Sequence, residues 1–252
     1  MEDVLKKLLV FNDPNFKFDP IKHKYTLDGE HFISVTQFIS KFHKHFDSDF
    51  WSNKKAEEAG VSQQEILLEW KKINERANEI GTNTHNWIEN YFNQIWQELP
   101  TDPDVIDRIN KFNVAYSKWL YKLKPIKFEQ RIFSKKWKIA GMMDALFWYN
   151  GYIFILDYKT NKQFLTDDHL KGKYETLLHP FADYYKNHLN EYSIQVSLYK
   201  LILREIGIDV KASYLLHIPG GENEAQMYKA HDLTDILENY LTDGQTNNLY
   251  IK

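Results

Sequence analysis

The two apolar, aromatic runs that flank Asn150-Gly151 constrain the fold more than any other feature of this sequence. Asn-Gly between two such runs is the strongest short-range signal for a two-residue β-hairpin turn. If these two residues form the loop, Tyr149 pairs with Tyr152, and Asp144 is expected directly opposite Asp157. Opposed side chains lie about 4.5–5.5 Å apart at Cβ, where like charges repel. A hairpin of this kind therefore needs a positive group between its two carboxylates.

A divalent cation is the natural candidate, because carboxylate oxygens are the ligands that Mg²⁺ and Mn²⁺ prefer. Lys159 lies two residues after Asp157 and is therefore expected on the same face of the sheet. We predict a metal site in which Asp144 and Asp157 are ligands. Lys159 would orient an attacking water and offset charge on a phosphate. The alternative is an ordinary salt bridge within the hairpin.

Composition limits the other possibilities. The chain has 252 residues, of which 43% are hydrophobic, enough for one large domain or a domain with an added helical lobe. It contains no cysteine, which excludes disulfides, thiolate zinc sites and cysteine-ligated iron–sulfur clusters. No apolar run approaches the roughly 20 residues of a membrane span. The first residues are too polar for a signal peptide. We therefore expect no contact with a membrane.

A local basic patch is the candidate nucleic-acid surface, because the net charge of the whole chain is only −3. The segment Tyr116 to Lys138 contains eight Lys or Arg residues with interleaved aromatic residues, and Glu129 is its single acid. A solvated helix end followed by an edge strand is the alternative interpretation. The candidate phosphate contacts are Lys135, Lys136 and Lys138 of this patch, together with Ser34 and Thr36 from earlier in the chain.

Helix and turn signals organise the first hundred residues. Asp28-Gly29 predicts a turn within a small hairpin at 24–33. Ser34 stands three residues before Gln37, and Ser62 stands three residues before Glu65; both pairs are capping-box patterns that predict the start of a helix. The second helix is expected to run to about Trp96, since apolar residues recur at helical spacing.

The remainder of the chain alternates between helix and strand patterns. A helix is predicted from Asp102-Pro103, then strands at 126–134, 137–149 and 152–159, a helix at 188–206 and a strand at 211–218. This order predicts an α/β (α+β) fold in which a mixed central sheet is flanked by helices. We divide the chain into an N-terminal hairpin and helical lobe at 1–100, packed on a core at 101–252.

Four motifs in this order resemble those of the PD-(D/E)XK nuclease superfamily, which has a restriction-endonuclease-like αβββαβ core. "GMMDAL" and "LDYKT" resemble its acidic and D-x-K signature, although Met143 replaces the usual proline. "IGTNTHNWIE" and "QVSLY" resemble the histidine-helix and Q-x-x-x-Y motifs of the RecB-type branch. "KYTLDGEHFISVTQFIS" is similar to the leading segment of phage exonucleases and of the mitochondrial genome maintenance exonuclease. Each motif is weak alone, but the ordered set is specific.

The resemblance implies a role for each matching residue. Asp144 and Asp157 would be metal ligands and Lys159 the catalytic lysine. The backbone carbonyl of Tyr158 and the imidazole of His85 would complete the ligand set. Without the hairpin, His85 would be interpreted as an ordinary core or surface histidine.

Further residues would support this set. Glu89 lies one helical turn after His85 and is expected to hydrogen-bond its imidazole. Glu129 would support the metal shell or pair with a basic neighbour such as Arg131. The residues expected near the site or the DNA backbone are Thr160, Gln195 and Tyr199, although the last two also fit the polar edge of a packing helix.

The implied function is a Mg²⁺- or Mn²⁺-dependent deoxyribonuclease without an iron–sulfur cluster. The resemblance favours an exonuclease that prefers single-stranded DNA ends and acts in DNA repair, recombination or phage DNA metabolism. Such an enzyme is expected in the cytoplasm of a bacterium or a phage-infected cell. Two alternatives remain open: a structure-specific or flap endonuclease, and a catalytically inactive DNA-end-binding module.

Overall fold

The computed structural model of the chain describes residues 1–164 and 175–243. The strands of these residues are β1 (Phe16–Asp19), β2 (Lys24–Leu27), β3 (Glu30–Ser34), β4 (Lys124–Ser134), β5 (Ile139–Tyr149), β6 (Tyr152–Lys159), β7 (Val210–His217) and β8 (Gln226–Lys229). The α-helices are α1 (Glu2–Leu8), α2 (Val35–Ser40), α3 (Ser48–Ala59), α4 (Gln63–Phe92), α5 (Pro103–Ala115), α6 (His188–Glu205) and α7 (Thr234–Thr242). A 3₁₀ turn (Leu9–Asn12) follows α1, and a π-helical turn (Tyr116–Leu120) follows α5.

One mixed sheet contains all eight of the described strands, in the order β1-β2-β3-β5-β6-β7-β8, with β4 paired to β5. Strands β4, β5 and β6 form an antiparallel meander, and α6 crosses back so that β7 lies parallel to β6. The predicted order of helix, three strands, helix and strand is confirmed, as is the mixed sheet flanked by helices.

The N-terminal hairpin is part of this sheet. The turn at Asp28 and Gly29 is present, and both residues have the positive φ that such a turn requires. β3 then pairs in parallel with the start of β5, through Ile33 with Ile139 and Ser34 with Ala140. The division at residue 100 therefore groups β1–β3 with the helical lobe, whereas the structure has them extending the central sheet.

Both predicted capping boxes are present, at Ser34 before α2 and at Ser62 before α4. Helix α4 ends at Phe92, four residues before the expected position. Asp102 caps α5, and its carboxylate also receives the guanidinium of Arg76 from α4, with N–O distances of 2.5 and 2.8 Å. The residue that caps α5 therefore also joins α5 to α4 through an ion pair.

Two hydrophobic clusters cover the two faces of the sheet. Ile155 belongs to the cluster that contains α6, whereas Leu156 belongs to the cluster that contains Ile88 of α4 and Phe112 of α5. Alternate residues of β6 therefore face opposite helical layers, as strand geometry requires. A side chain's position on β6 decides which set of helices it meets.

Candidate active site

The candidate site lies where β5 and β6 separate. The hairpin has the predicted register, but its ladder runs only from Tyr149–Tyr152 to Ala145–Leu156. The predicted direct pairing of Asp144 with Asp157 is therefore wrong, since the ladder ends one pair before it. The other end of this edge of β5 pairs with β3 through Ile139 and Ala140. Residues 141–144 of β5 therefore lie in a gap on this edge, between β3 and β6.

Beyond the end of the β5–β6 ladder, the carboxylate of Asp144 serves as the hydrogen-bond acceptor for β6. Its Oδ2 accepts a hydrogen bond of 2.7 Å from the backbone N–H of Tyr158. Asp144 is only 8% exposed, and its carboxylate also approaches Nδ1 of His85, on α4, at 3.6 Å. Asp157 is fully buried and contacts Gln195, on α6, instead. The two acids therefore contact different helices, since Asp144 meets α4 and Asp157 meets α6.

Three donor side chains converge on the α4 side. Nδ1 of His85 lies 3.8 Å from Oε1 of Glu129 and 3.6 Å from Oδ2 of Asp144. One potential ligand atom from each of these residues lies within 4.8 Å of the other two. An imidazole with two carboxylates suits Mn²⁺ or Mg²⁺. The donor set therefore fits a divalent cation, and Glu129, predicted to have only a supporting role, is a member of it.

Glu129 has a strained backbone. Its φ is +44°, which is uncommon for a residue with a side chain and unexpected inside a strand. The strand changes face here, since Phe128 packs with the α4 and α5 cluster and Ile132 with the α6 cluster. Strain of this kind costs about 1–3 kcal/mol and persists where the surrounding structure imposes it. At this position it brings the carboxylate of Glu129 to His85.

A second group of polar side chains lies on the α6 side. Nζ of Lys159 forms an ion pair of 2.7 Å with Asp157 and donates to Oε1 of Gln195 at 3.2 Å. Nε2 of Gln195 donates to the hydroxyl of Tyr199 at 2.9 Å. The ammonium also lies 4.2 Å from the ring centroid of Tyr192. Helix α6 thus holds the lysine in one orientation.

Electrostatics hold a proton on His85 in this arrangement. Burial would lower its pKa, but the carboxylates of Asp144 and Glu129 outweigh burial and raise the pKa to about 9. Burial raises the pKa of Asp144, and neighbouring Glu129 raises it further. Because the carboxylates concentrate negative charge around the imidazolium, the site favours exchange of the imidazole proton for a dication.

Lys159 carries a stable positive charge. Burial would lower its pKa, but Asp157 and Asp144 together raise it above the ordinary value for lysine. Burial and nearby Asp144 raise the pKa of Asp157 to about 6, against the opposing effect of Lys159. Near neutral pH the lysine is therefore a cation and a hydrogen-bond donor, and it cannot act as a base.

Two glycines allow the helices to approach the strands closely. A Cβ on Gly81, one turn before His85, would lie 3.2 Å from the hydroxyl of Thr160. A Cβ on Gly141 would lie 2.8 Å from the ring of Tyr199 and 3.0 Å from Val35. These contacts set how near α4 and α6 come to the gap in the sheet.

The candidate phosphate contacts at Ser34, Thr36 and 135–138 form no hydrogen bond or ion pair with this centre in the described residues, whereas Gln195 contacts Lys159 directly. The hydroxyl of Ser34 is buried and hydrogen-bonds both the backbone N–H of Gln37 and the hydroxyl of Thr36. The turn at 135–138 precedes β5, and Lys138, which bonds Glu30 at 3.1 Å, is about 20 Å along the strand from the acid at 144. These lysines can therefore contact only a nucleic acid that extends well beyond the cluster.

Some supporting residues differ from expectation. No hydrogen bond or ion pair joins Glu89 to His85 in the described part of the chain, so its predicted role is not seen. Tyr192 was missed, although its spacing of three and seven residues before Gln195 and Tyr199 places it on their helix face. Buried Arg108 was also missed; it reaches from α5 to the carbonyl of Thr160 at 3.4 Å, and no sequence pattern indicated it.

Comparisons with known proteins add little to this description. No protein-family model matches the chain, and no curated protein matches it. Among the solved structures that match is one described as the crystal structure of SSO0001, which is 13% identical over 99% of this chain and 85% of that chain. Its TM-score is 0.31, too low to support an argument about fold or function. None of the helices in residues 1–164 and 175–243 has the length and apolar character needed to cross a bilayer.

Proposed function

We propose that this protein is a metal-dependent deoxyribonuclease that hydrolyses phosphodiester bonds. The convergence of His85, Glu129 and Asp144 within 4.8 Å carries the proposal, because it provides a donor set for a dication beside the ammonium of Lys159. The motifs that resemble those of PD-(D/E)XK nucleases support the same interpretation, since residues of all four lie in contact around this site. The class of reaction is metal-assisted phosphodiester hydrolysis.

The residues that would hold the metal are His85, Glu129 and Asp144, with Asp157 and the carbonyl of Tyr158 as the further ligands that the resemblance implies. When bound, Mg²⁺ or Mn²⁺ supplies an activated water and neutralises charge that develops on the phosphate. The hydrogen bond from the N–H of Tyr158 fixes one oxygen of Asp144, so the carboxylate is already oriented.

Lys159 would act on the phosphate as a fixed positive charge. Its ammonium is tied to Asp157 and Gln195 and lies over the ring of Tyr192, so little reorganisation is needed when a substrate approaches. The raised pKa keeps the amine protonated, which excludes a role as general base. Its function would be to orient the attacked phosphate and stabilise the negative charge that forms on it.

We further propose an exonuclease that prefers single-stranded DNA ends and acts in the cytoplasm, in DNA repair, recombination or phage DNA metabolism. The resemblance to RecB-type and phage exonucleases supports this finer assignment. Exposed aromatic side chains on the helical lobe, Phe50 and Trp51, suit stacking on unpaired bases.

The test uses purified protein and labelled DNA in three forms: linear single strands, circular single strands and linear duplex. Degradation of linear strands with Mg²⁺ or Mn²⁺, sparing of circles and no reaction with chelator are expected. Cleavage of circles would instead assign an endonuclease. Binding of linear DNA without cleavage under any metal condition would overturn the nuclease proposal and favour the end-binding module.

A further inference from the structure

A second polar cavity lies at the far end of α6, near the start of β7. Its volume is about 460 Å³, within the size range of small-molecule sites. None of the candidate active-site residues lines it. The lining residues are Lys200, Lys211, Ala212, Ser213, Lys229, Ala230, His231 and Asp232.

The charge around this cavity is predominantly positive. Its one acid, Asp232, is neutralised by Lys200, whose ammonium lies 2.5 Å from the carboxylate. Lys211 and Lys229 form no ion pair with any acid in the part of the chain that the structure describes. The ammonium of Lys211 lies 5.2 Å from the centroid of the exposed Tyr152 ring, and the flexible lysine side chain can reorient from this position. The cavity therefore has lysine charge that no protein group balances.

An unsatisfied hydroxyl lies in the wall of the same cavity. Ser213 is 5% exposed, and its Oγ has no hydrogen-bond partner among the described residues. The backbone around it is satisfied, since its carbonyl accepts from the N–H of Ala230 at 3.0 Å. A buried polar group without a partner costs free energy, so such groups are rare and call for an explanation. A bound ligand with an acceptor oxygen supplies one.

We propose that this cavity is a binding site for a phosphorylated ligand of up to nucleotide size. The hydroxyl of Ser213 donates to a phosphate oxygen, and Lys211 and Lys229 supply the positive charge. Lysines recognise phosphate as point charges, whereas a site built for planar carboxylates would present arginine forks. The phosphate belongs either to a free nucleotide or to the end of a nucleic-acid strand. This inference does not depend on the nuclease proposal.

The experiment measures binding to the wild-type chain by isothermal titration calorimetry with chelator present, so that no DNA is cleaved. The probes are inorganic phosphate, deoxyadenosine 5′-monophosphate, deoxyadenosine, and one oligothymidylate with and without a 5′-phosphate. The variants are Ser213→Ala and Lys211→Ala. Lys17→Ala, an exposed lysine on β1, is the matched control.

We expect the phosphorylated probes to bind, with affinity reduced roughly tenfold by Ser213→Ala and by Lys211→Ala and unchanged by Lys17→Ala. Ser213→Ala should not lower the melting temperature, because the hydroxyl makes no hydrogen bond. Equal binding of mononucleotide and phosphorylated strand assigns a free nucleotide; binding of the strand alone assigns a strand end. Equal binding of deoxyadenosine, undiminished binding by both Ser213→Ala and Lys211→Ala, or absence of binding would overturn the proposal.

Discussion

The carboxylate of Asp144 accepts its 2.7 Å hydrogen bond from the N–H of Tyr158 at the point where the β5–β6 ladder stops. The side chain of Asp144 accepts the hydrogen bond that a backbone carbonyl of β5 would otherwise accept, and β5 and β6 separate at this point. Asp157 forms an ion pair of 2.7 Å with Lys159, which offsets part of the repulsion between the two acids. Through this gap, side chains from α4 and from α6 can contribute to one site.

Substitution of Lys159 by methionine should abolish cleavage. Removal of one preorganised charge from a dry site typically lowers the rate about 10²–10³-fold. Lys162→Met, which changes an exposed lysine three residues later, should retain the wild-type rate. Single-turnover cleavage of a linear single strand checks both. A Lys159→Met rate within tenfold of wild type would remove the lysine from the mechanism.

Loss of the lysine should also lower stability. Asp157 is fully buried, and without its partner it would remain as an uncompensated charge or take up a proton. Breaking such a pair costs about 3–5 kcal/mol. The second change Asp157→Asn should recover most of the free energy of unfolding in urea without restoring cleavage. Equal stability of the single and double variants would show that the pair is not coupled.

Glu129→Gln should weaken Mn²⁺ binding at least about tenfold, because it removes one of the charged donors of the cluster. Glu89→Gln is the matched control, since it makes the same change one helical turn after His85 without a contact to the cluster. Calorimetric titration with Mn²⁺ compares the two. If Glu129→Gln and Glu89→Gln lower the affinity for Mn²⁺ equally, the loss reflects the overall charge of the protein and not a ligand role of Glu129.

Metal binding should strengthen with pH. The metal-free imidazole of His85 holds a proton up to a pKa of about 9, and a metal ligand must be free of it. Between pH 6.5 and 8.5 the affinity for Mn²⁺ should therefore rise by about tenfold per unit, with release of about one proton. Calorimetry in buffers of different ionisation enthalpy measures the release. His85→Ala should flatten the dependence; a flat wild-type profile would contradict the assignment.

Gly141→Ala should destabilise the fold by about 1–3 kcal/mol, because the added methyl overlaps a buried tyrosine ring at 2.8 Å. Gly81→Ala is a useful comparison. Its methyl meets only the hydroxyl of Thr160 at 3.2 Å, and alanine gains about 1 kcal/mol of helix propensity over glycine. Urea unfolding should separate the two variants clearly. Similar losses would mean that both helices pack equally tightly.

The sequence was sufficient to predict the core. The register of the hairpin followed from Asn150-Gly151, and both capping boxes followed from side-chain chemistry at fixed spacing. The spacing of Gln195 and Tyr199 placed them on one helix face, and the structure brings Gln195 to the lysine and Tyr199 to Gln195. These features are local, so nearby residues determine them.

Long-range geometry accounts for what was missed. Only two residue pairs join β3 to β5, and nothing in the sequence of either strand specifies that contact. The place of Glu129 in the donor set depends on a positive φ that its neighbours impose on it. The cavity beside Ser213 combines residues from α6, β7 and the segment after β8. Each of these features exists only once the chain has folded.

The donor set draws on separate stretches of the polypeptide, since His85 comes from α4 and its two companions from β4 and β5. A chain cut near residue 100 would leave two acids on one fragment and the imidazole on the other. Neither fragment would carry a complete set. A bound ion would therefore add a link between the fragments beyond the β3–β5 pairing and their shared apolar core, and the metal should strengthen their association.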